Sequence, residues 1–306
     1  MTVRSRDMNL RTAYAECRAI AKREAKNFYY AFVALPSPRR DAICAIYAFM
    51  RRADDLADDE TIPQAGRRNN IESWQAAWRD AANGATTEDP VFVAVRDAVA
   101  RFSIPLSLLE ELVAGVTMDL DHGVNGTPDT YANFADLYRY CYLVASVVGL
   151  VCIRIFGYTD PRAENLAEET GIAFQLTNIL RDVQEDAARN RVYLPLDELA
   201  AHGVAVDSLL HRASKVPPAP SERALLKSIA DRAGRYYKSA DQLLPLISPE
   251  SRPALRVLVA IYRELLKRIV QADYDVFTHR ASVPTTQKLA IMVGGLTRMA
   301  WARLFG

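Results

Sequence analysis

The sequence predicts a single all-α domain. Three observations carry this reading. Apolar residues recur at helical spacing along most of the chain. Ala, Leu, Arg and Glu are abundant, while alternating runs of Val, Ile and Thr are nearly absent. Proline and glycine fall in the gaps between periodic segments. Half of the 306 residues are hydrophobic, enough for one large core. No segment has the composition of a linker and no repeat of solenoid length occurs, so residues 1–306 are read as one domain.

The periodicity places helices at roughly 9–32, 38–58, 66–83, 89–103, 105–122, 129–156, 161–188, 221–244, 250–278 and 284–304. Pro36 and Pro38, Pro63, Pro90, Pro128, Pro161, Pro195 and the run Pro217 to Pro220 punctuate the gaps. The longest irregular stretch, about 190–220, carries short apolar patches and is expected to be ordered caps and turns. Leu143 to Ile153 is the most apolar stretch. It is too short for a bilayer core of about 30 Å and is expected to be a buried helix.

Charge and cysteine content narrow the function classes. The formal net charge of +1 projects no field toward nucleic acid, and no nucleic-acid partner is expected. Cys17, Cys44, Cys141 and Cys152 form no C-x-x-C pair and sit among apolar residues, as buried reduced thiols do. The N-terminal stretch has no apolar signal core. A cytoplasmic protein is expected, with peripheral contact at the inner membrane surface left open.

Two segments break the rules for ordinary helices. The first runs Tyr47-Ala-Phe-Met-Arg51-Arg52-Ala-Asp54-Asp55-Leu-Ala-Asp58-Asp59-Glu60, and the second Gln175-Leu-Thr-Asn178-Ile-Leu-Arg181-Asp182-Val-Gln-Glu185-Asp186. A helix stacks Asp54 on Asp58, and makes a ladder of Asn178, Asp182 and Asp186. Each step of four turns only ~40° about the axis. Like charges at this spacing disfavour a helix by a few tenths of a kcal/mol per pair, and a cation between them removes that objection. The donors are all oxygen, which suits Mg²⁺ or Mn²⁺ rather than Zn²⁺. Arg51 and Arg181 each precede a motif aspartate, within reach of the same anionic ligand. A solvated helix end accounts for the first motif equally well. The second is harder to explain so, because Ile172, Leu176, Ile179 and Val183 mark a buried face beside it. No calcium-binding loop, P-loop or G-x-G-x-x-G is present.

With both motifs in view, the chain resembles the squalene/phytoene synthase family of trans-isoprenoid synthases, and looks most like the bacterial presqualene diphosphate and squalene synthases. The resemblance runs from Phe28 to about Arg280, and past the second motif it continues into Arg191-Val-Tyr193-Leu-Pro195. It implies a class I isoprenoid synthase helical bundle around a deep central cavity. It assigns Asp54, Asp58, Asn178, Asp182 and Asp186 to metal binding, with Mg²⁺ as cofactor and Mn²⁺ able to substitute. It places Lys26, Asn27, Phe28, Phe32, Tyr47, Arg51, Val144, Gln175, Arg181, Tyr262 and Arg280 against substrate, and Tyr140 near the chemistry as a candidate proton acceptor. Asn27 and Glu24 depart from the family, where many members have Ser and some have His.

The reaction implied joins two prenyl diphosphates head to head. One ionises, the double bond of the second attacks, and proton loss closes a cyclopropane that can ionise again and rearrange. Phe32, one turn beyond Phe28, is expected to block a C20 chain. Two farnesyl diphosphates giving presqualene diphosphate and a squalene-type C30 product, for hopanoid, sterol or carotenoid synthesis, are therefore the expected substrates and product. Phytoene synthesis from two geranylgeranyl diphosphates is the alternative. A terpene cyclase, a head-to-tail synthase and a catalytically silent prenyl-lipid-binding protein also stay open. The chain has no nicotinamide fingerprint, which leaves a loosely held NADPH open.

Overall fold

The computed structural model describes residues 2–121, 128–213 and 215–293. The side chains of residues 2–9, Lys26, Asn27, Tyr30, Asp119 and Asp121 lie outside the described residues.

The described residues are mostly helical. The chain begins with α1 (Thr2–Glu24), α2 (Lys26–Val33), α3 (Ser37–Ala57), α4 (Gln64–Ala82), α5 (Pro90–Phe102) and α6 (Leu106–Asp121). Then come α7 (Phe134–Cys141), α8 (Val147–Phe156), α9 (Arg162–Ala188), α10 (Leu196–Ala201), α11 (Val206–Leu210), α12 (Pro220–Leu243) and α13 (Arg252–Gln271). A further helical stretch covers 285–293. The expected end of that last helix, to 304, lies outside the described residues.

Local chemistry sets several boundaries. Pro occupies the first turn of α3, α5, α12 and α13, where its missing N–H costs nothing. The Asp89 carboxylate caps α5 by accepting from the Val91 and Phe92 amides at 2.8 and 3.3 Å. Asn133 caps α7 in the same way.

The structure differs from the sequence expectation at several places, and the first helix begins at Thr2 rather than near residue 9. The helix expected over 9–32 breaks at Ala25, where a three-residue hydrogen bond from the Phe28 amide to the Ala25 carbonyl (2.8 Å) replaces the α-helical pattern. The helix expected over 129–156 starts at Phe134 and contains a π turn at Tyr142–Ser146. The helix expected to reach 278 stops at Gln271, because Asp273 and Tyr274 take φ of 51° and 61°. Finally, β1 (Asp129–Thr130) and β2 (Arg191–Val192) form a short parallel pair, Asp129 opposite Arg191 and Thr130 opposite Val192. Over 190–213 and 215–220 the chain holds β2, α10, α11 and turns, as expected, while Ser214 lies outside the described residues.

Among the described residues the core divides into two main clusters. One is built from α1, α3, α5, α6 and α8, the other from α7, α9, α12 and α13. Phe28 and Phe174 pack against both and are themselves only partly buried. The seam between the clusters is therefore lined by accessible apolar groups. The run Phe134–Phe156 has the length and hydropathy of a membrane span, yet it lies inside the bundle against α6 and α9. Small residues permit that packing. A Cβ on Gly171 of α9 would stand 2.6 Å from the Ser146 Cα, and one on Gly149 would stand 3.1 Å from the Ala167 carbonyl oxygen. The Ser146 hydroxyl donates to the Glu168 carbonyl at 2.7 Å across the same crossing.

Candidate active site

Both acidic motifs stand at the carbonyl end of a helix. α3 carries Tyr47, Arg51 and Asp54 into its last turns and ends at Ala57, so Asp58 is its C-cap. The Asp58 amide closes on the Asp54 carbonyl at 2.8 Å, which keeps the two carboxylates in register. α9 ends at Ala188, two residues past Asp186. The carbonyl end of a helix carries partial negative charge, which disfavours carboxylates and favours cations. Two acidic ladders at two such ends are costly unless a cation is present.

The second motif is organised by arginines. Arg181 forks onto Asp182, its Nε donating to Oδ1 at 2.8 Å and its Nη2 to Oδ2. Arg280 reaches the same Asp182 Oδ1 with Nη2 at 2.8 Å and Nε at 3.0 Å, and its Nε also pairs with Glu185 at 3.0 Å. Burial, followed by the neighbouring Asp182 charge, pushes the Asp186 carboxyl up to about 7, with Arg191 and Arg189 opposing. In the first motif, Arg51 pairs with Asp55 at 2.6 Å while its buried Nε has no partner among the described residues.

Asn178 tests whether these residues fit a metal. Its Nδ2 donates to the Gln175 Oε1 at 3.3 Å, and the Tyr262 side chain is hydrogen-bonded to it. Its Oδ1 is buried without a partner. A buried amide oxygen left unpaired is costly, and this one sits one helical turn from Asp182. A hard cation satisfies the amide oxygen and the carboxylates together, so the residues fit Mg²⁺ or Mn²⁺. Among the described residues no three His, Cys, Asp or Glu side chains converge on one point. Each motif is thus a partial shell, of the kind Mg²⁺ completes with water and substrate phosphate.

An aromatic wall joins the motifs. Tyr47 of α3 meets Phe32 edge-on at 6.0 Å, and Phe28, one turn back on α2, lies 6.0 Å from Tyr262 of α13. Tyr262 stacks on Phe174 of α9 at 4.4 Å and 16°. The π turn adds a partly exposed row, Tyr142, Leu143, Val144 and Ala145. Such turns recur at functional sites because they rotate side chains off the regular face.

The sequence-derived residues do not form one set, and Arg51, Asp54 and Asp58 stand on the last turns and cap of α3. Gln175, Asn178 and Tyr262 form one hydrogen-bonded set, and Arg181, Asp182 and Arg280 another, with Asp186 beside Asp182. Phe28, Phe32 and Tyr47 line the aromatic wall, and Val144 lies on the π turn. Lys26 and Asn27 open α2, but their side chains lie outside the described residues. Tyr140 is buried, stacked on Tyr193 at 4.9 Å, with its hydroxyl donating to the Tyr193 hydroxyl at 3.2 Å. Tyr193 in turn lines a narrow cleft with Asp186 and Arg191. Sequence reasoning passed over Phe174, Glu185 and Tyr193 as site residues. Phe174 directly precedes the motif it singled out, Glu185 lies inside it and Tyr193 lies in its continuation, which was the available signal.

Two helices that each end in an acidic motif, with a wall of aromatic rings between them, suit an enzyme that handles diphosphate esters of apolar chains. The sequence profile of the squalene/phytoene synthase family matches residues 21–287, and the chain belongs to that family, whose members condense prenyl diphosphates head to head. It is 36% identical to the 15-cis-phytoene synthase of Synechococcus elongatus, over 95% of this chain and 94% of that one. It is 35% identical to the phytoene synthase of Mycobacterium tuberculosis, over 93% and 90%. Among solved structures, a dehydrosqualene synthase bound to a ligand superposes with a TM-score of 0.82 at 30% identity, covering 96% of this chain and 99% of that one. A squalene synthase from Alicyclobacillus acidocaldarius gives 0.77 at 26%, covering 88% and 97%.

Proposed function

We propose that the chain joins two molecules of geranylgeranyl diphosphate head to head, through a cyclopropyl diphosphate, to a phytoene-type C40 product. The observation that carries the chemistry is the ladder Asn178, Asp182 and Asp186, with its unpartnered amide oxygen and two attendant arginines. Asn178, Asp182 and Asp186 on one side, and Asp54 and Asp58 on the other, would hold Mg²⁺, which supplies Lewis acidity to the departing diphosphate.

The chain's own residues do the rest. Arg51, Arg181 and Arg280 bind diphosphate oxygens, and the guanidinium fork suits a two-oxygen grip. Phe28, Phe174 and Tyr262 exclude water and offer ring faces to an allylic cation. The Tyr140 hydroxyl, relayed through Tyr193, and the released diphosphate are the two acceptors for the proton lost on ring closure.

The choice of the C20 substrate rests on the relatives, which are phytoene synthases from cyanobacteria, mycobacteria and plants at 34–37% identity. One observation favours the C15 reading. Phe32 is buried against Tyr47, where a large ring shortens the apolar path. Incubation with C15 and with C20 diphosphate, Mg²⁺, and NADPH present or omitted, followed by product identification, separates the two. The proposal expects a higher kcat/KM for the C20 substrate and a product that NADPH does not alter. A higher kcat/KM for farnesyl diphosphate replaces it with the C30 reading.

A further inference from the structure

Behind Arg280 lies a buried ion pair that the chemistry above does not use. Arg212 and Glu222 flank the start of α12 and pair with each other, their side chains only 7% and 8% exposed. The Arg212 guanidinium is fully engaged. Its Nη2 donates to the Pro217 and Val216 carbonyls at 2.7 and 3.0 Å, and its Nη1 to Glu222. The second Glu222 oxygen accepts from the Ala219 amide at 2.7 Å. The flat face of the guanidinium lies 3.8 Å from the centroid of the Phe277 ring.

Burying an ion pair is a poor route to stability, because desolvation offsets most of the attraction. Such a pair has more to give as a positional anchor. What it anchors is the segment after α13, whose backbone is held against its preference at Asp273 and Tyr274, both at positive φ. Tyr274, Val276 and Phe277 of that segment are buried in the second core cluster. Arg223, also at the start of α12, pairs with Asp273 at 2.9 Å. Asp275 then accepts from the Thr278 amide at 3.0 Å, and two residues later the chain presents Arg280 to Asp182.

We propose that Arg212, locked by Glu222 and stacked on Phe277, is a positioning residue that sets the reach of Arg280 into the diphosphate site. Arg212 touches neither substrate nor metal ligand and acts through the segment from Phe277 to Arg280. The proposal rests on the reading of Arg280 as a diphosphate contact. A planar guanidinium is required, because an ammonium pairs with Glu222 but offers no flat face to the ring and no fork for two carbonyls.

A double-mutant cycle tests this. Steady-state turnover of the preferred prenyl diphosphate, thermal stability, and binding of inorganic diphosphate with Mg²⁺ are measured for R212K, R280A and R212K/R280A. The expected result is a loss of about tenfold in kcat/KM for R212K, weaker diphosphate binding, and little further loss when R212K is added to R280A. Should R212K fold poorly, F277L removes the stacked ring without disturbing the buried charge, and the same cycle is run with it. Losses that multiply independently in the double variant overturn the proposal while leaving Arg280 in the site. So does an R212K enzyme, or an F277L enzyme where that is the variant used, with normal kcat/KM. Normal kinetics in R280A alone remove Arg280 from the diphosphate site, and the positioning role falls with it.

Discussion

Arg280 and Asp182 are 98 residues apart in the chain and meet at 2.8 Å. Asp182 is also held by Arg181, so one carboxylate pairs with two guanidinium groups, and Arg280 ties the segment after α13 to the end of α9. The aspartates of the two motifs therefore differ in structural role, although the sequence presents them alike.

That difference predicts unequal stability effects. Asp58 is exposed at the carbonyl end of α3, so Asp58→Ala is expected to leave the melting temperature in chelator unchanged or slightly raised. Asp182→Ala strands the largely buried Arg181 and is expected to cost about 1–3 kcal/mol. Turnover should be lost in both. Equal melting temperatures for the two variants would contradict the role given to Asp182.

Much of this site was legible in the sequence, for a physical reason. Aspartates four apart beside an apolar face conflict with local helix preference, and such a conflict marks function. The bounds of α3 and α9 followed from the same periodicity. What stayed hidden had no local signal. Ala25, between Glu24 and Lys26, is an excellent helix former, so nothing at that point announces the break between α1 and α2. The π turn adds one residue to a helix inside Tyr142-Leu-Val-Ala-Ser146, where every residue suits a buried helix. The β1–β2 pair is too short to alternate. The pairing of Arg280 with Asp182 is tertiary and lies beyond any reading of spacing.

Metal dependence follows from the donor set. Excess chelator is expected to stop diphosphate release, and Mg²⁺ or Mn²⁺ to restore it. Asn178→Leu removes the unpartnered oxygen without adding a buried charge. It should fold normally and raise the half-saturating Mg²⁺ concentration by about tenfold or more. An unchanged metal requirement would take Asn178 out of the ligand set.

Asp186 gives the metal-free protein a pH dependence of defined sign. Burial, followed by the neighbouring Asp182 charge, pushes its carboxyl up to about 7, well above the ordinary carboxylate range near 4. Between these values the folded state binds more protons than the unfolded state, so stability falls as pH rises from about 4 to 7. The contribution is on the order of 2–4 kcal/mol. Asp186→Asn is expected to flatten this part of the stability profile and to raise metal-free stability at pH 8, while abolishing turnover. Saturating Mg²⁺ should flatten the wild-type profile too, since a bound cation favours the carboxylate. A denaturation series from pH 4 to 8 that gives parallel profiles for wild type and variant would refute the assignment.

Two glycines on neighbouring helices make opposite predictions. A Cβ at Gly171 would press within 2.6–2.9 Å of the backbone at Ser146 and Ala145, where nothing flexible can yield. Gly171→Ala is expected to destabilise by about 1–3 kcal/mol, and to lower kcat by moving α9 relative to the π turn. Gly234, within α12, has open space around its Cβ position, so Gly234→Ala should stabilise by up to about 1 kcal/mol. Thermal melts and turnover of both variants check the pair, and a stable, fully active Gly171→Ala enzyme would show that the crossing of α9 tolerates adjustment.

Chain length is the last prediction, and it turns on Phe32. The ring is 9% exposed, edge-on to Tyr47, on the helix that also carries Phe28 into the wall. Five further carbons in an apolar path gain roughly 0.8 kcal/mol per methylene-sized group. An enzyme with room for them therefore discriminates strongly for the longer chain, and one without room discriminates sharply against it. Phe32→Ala shortens the wall by one ring and is expected to raise kcat/KM for the C20 diphosphate relative to the C15 diphosphate. Phe32→Trp is expected to move the ratio the other way. The comparison is a ratio within each variant, so a general loss of stability cancels. If both substitutions leave the C20 to C15 ratio unchanged, Phe32 packs the first core cluster without bounding the substrate, and the limit on chain length lies elsewhere along the seam between the two cores.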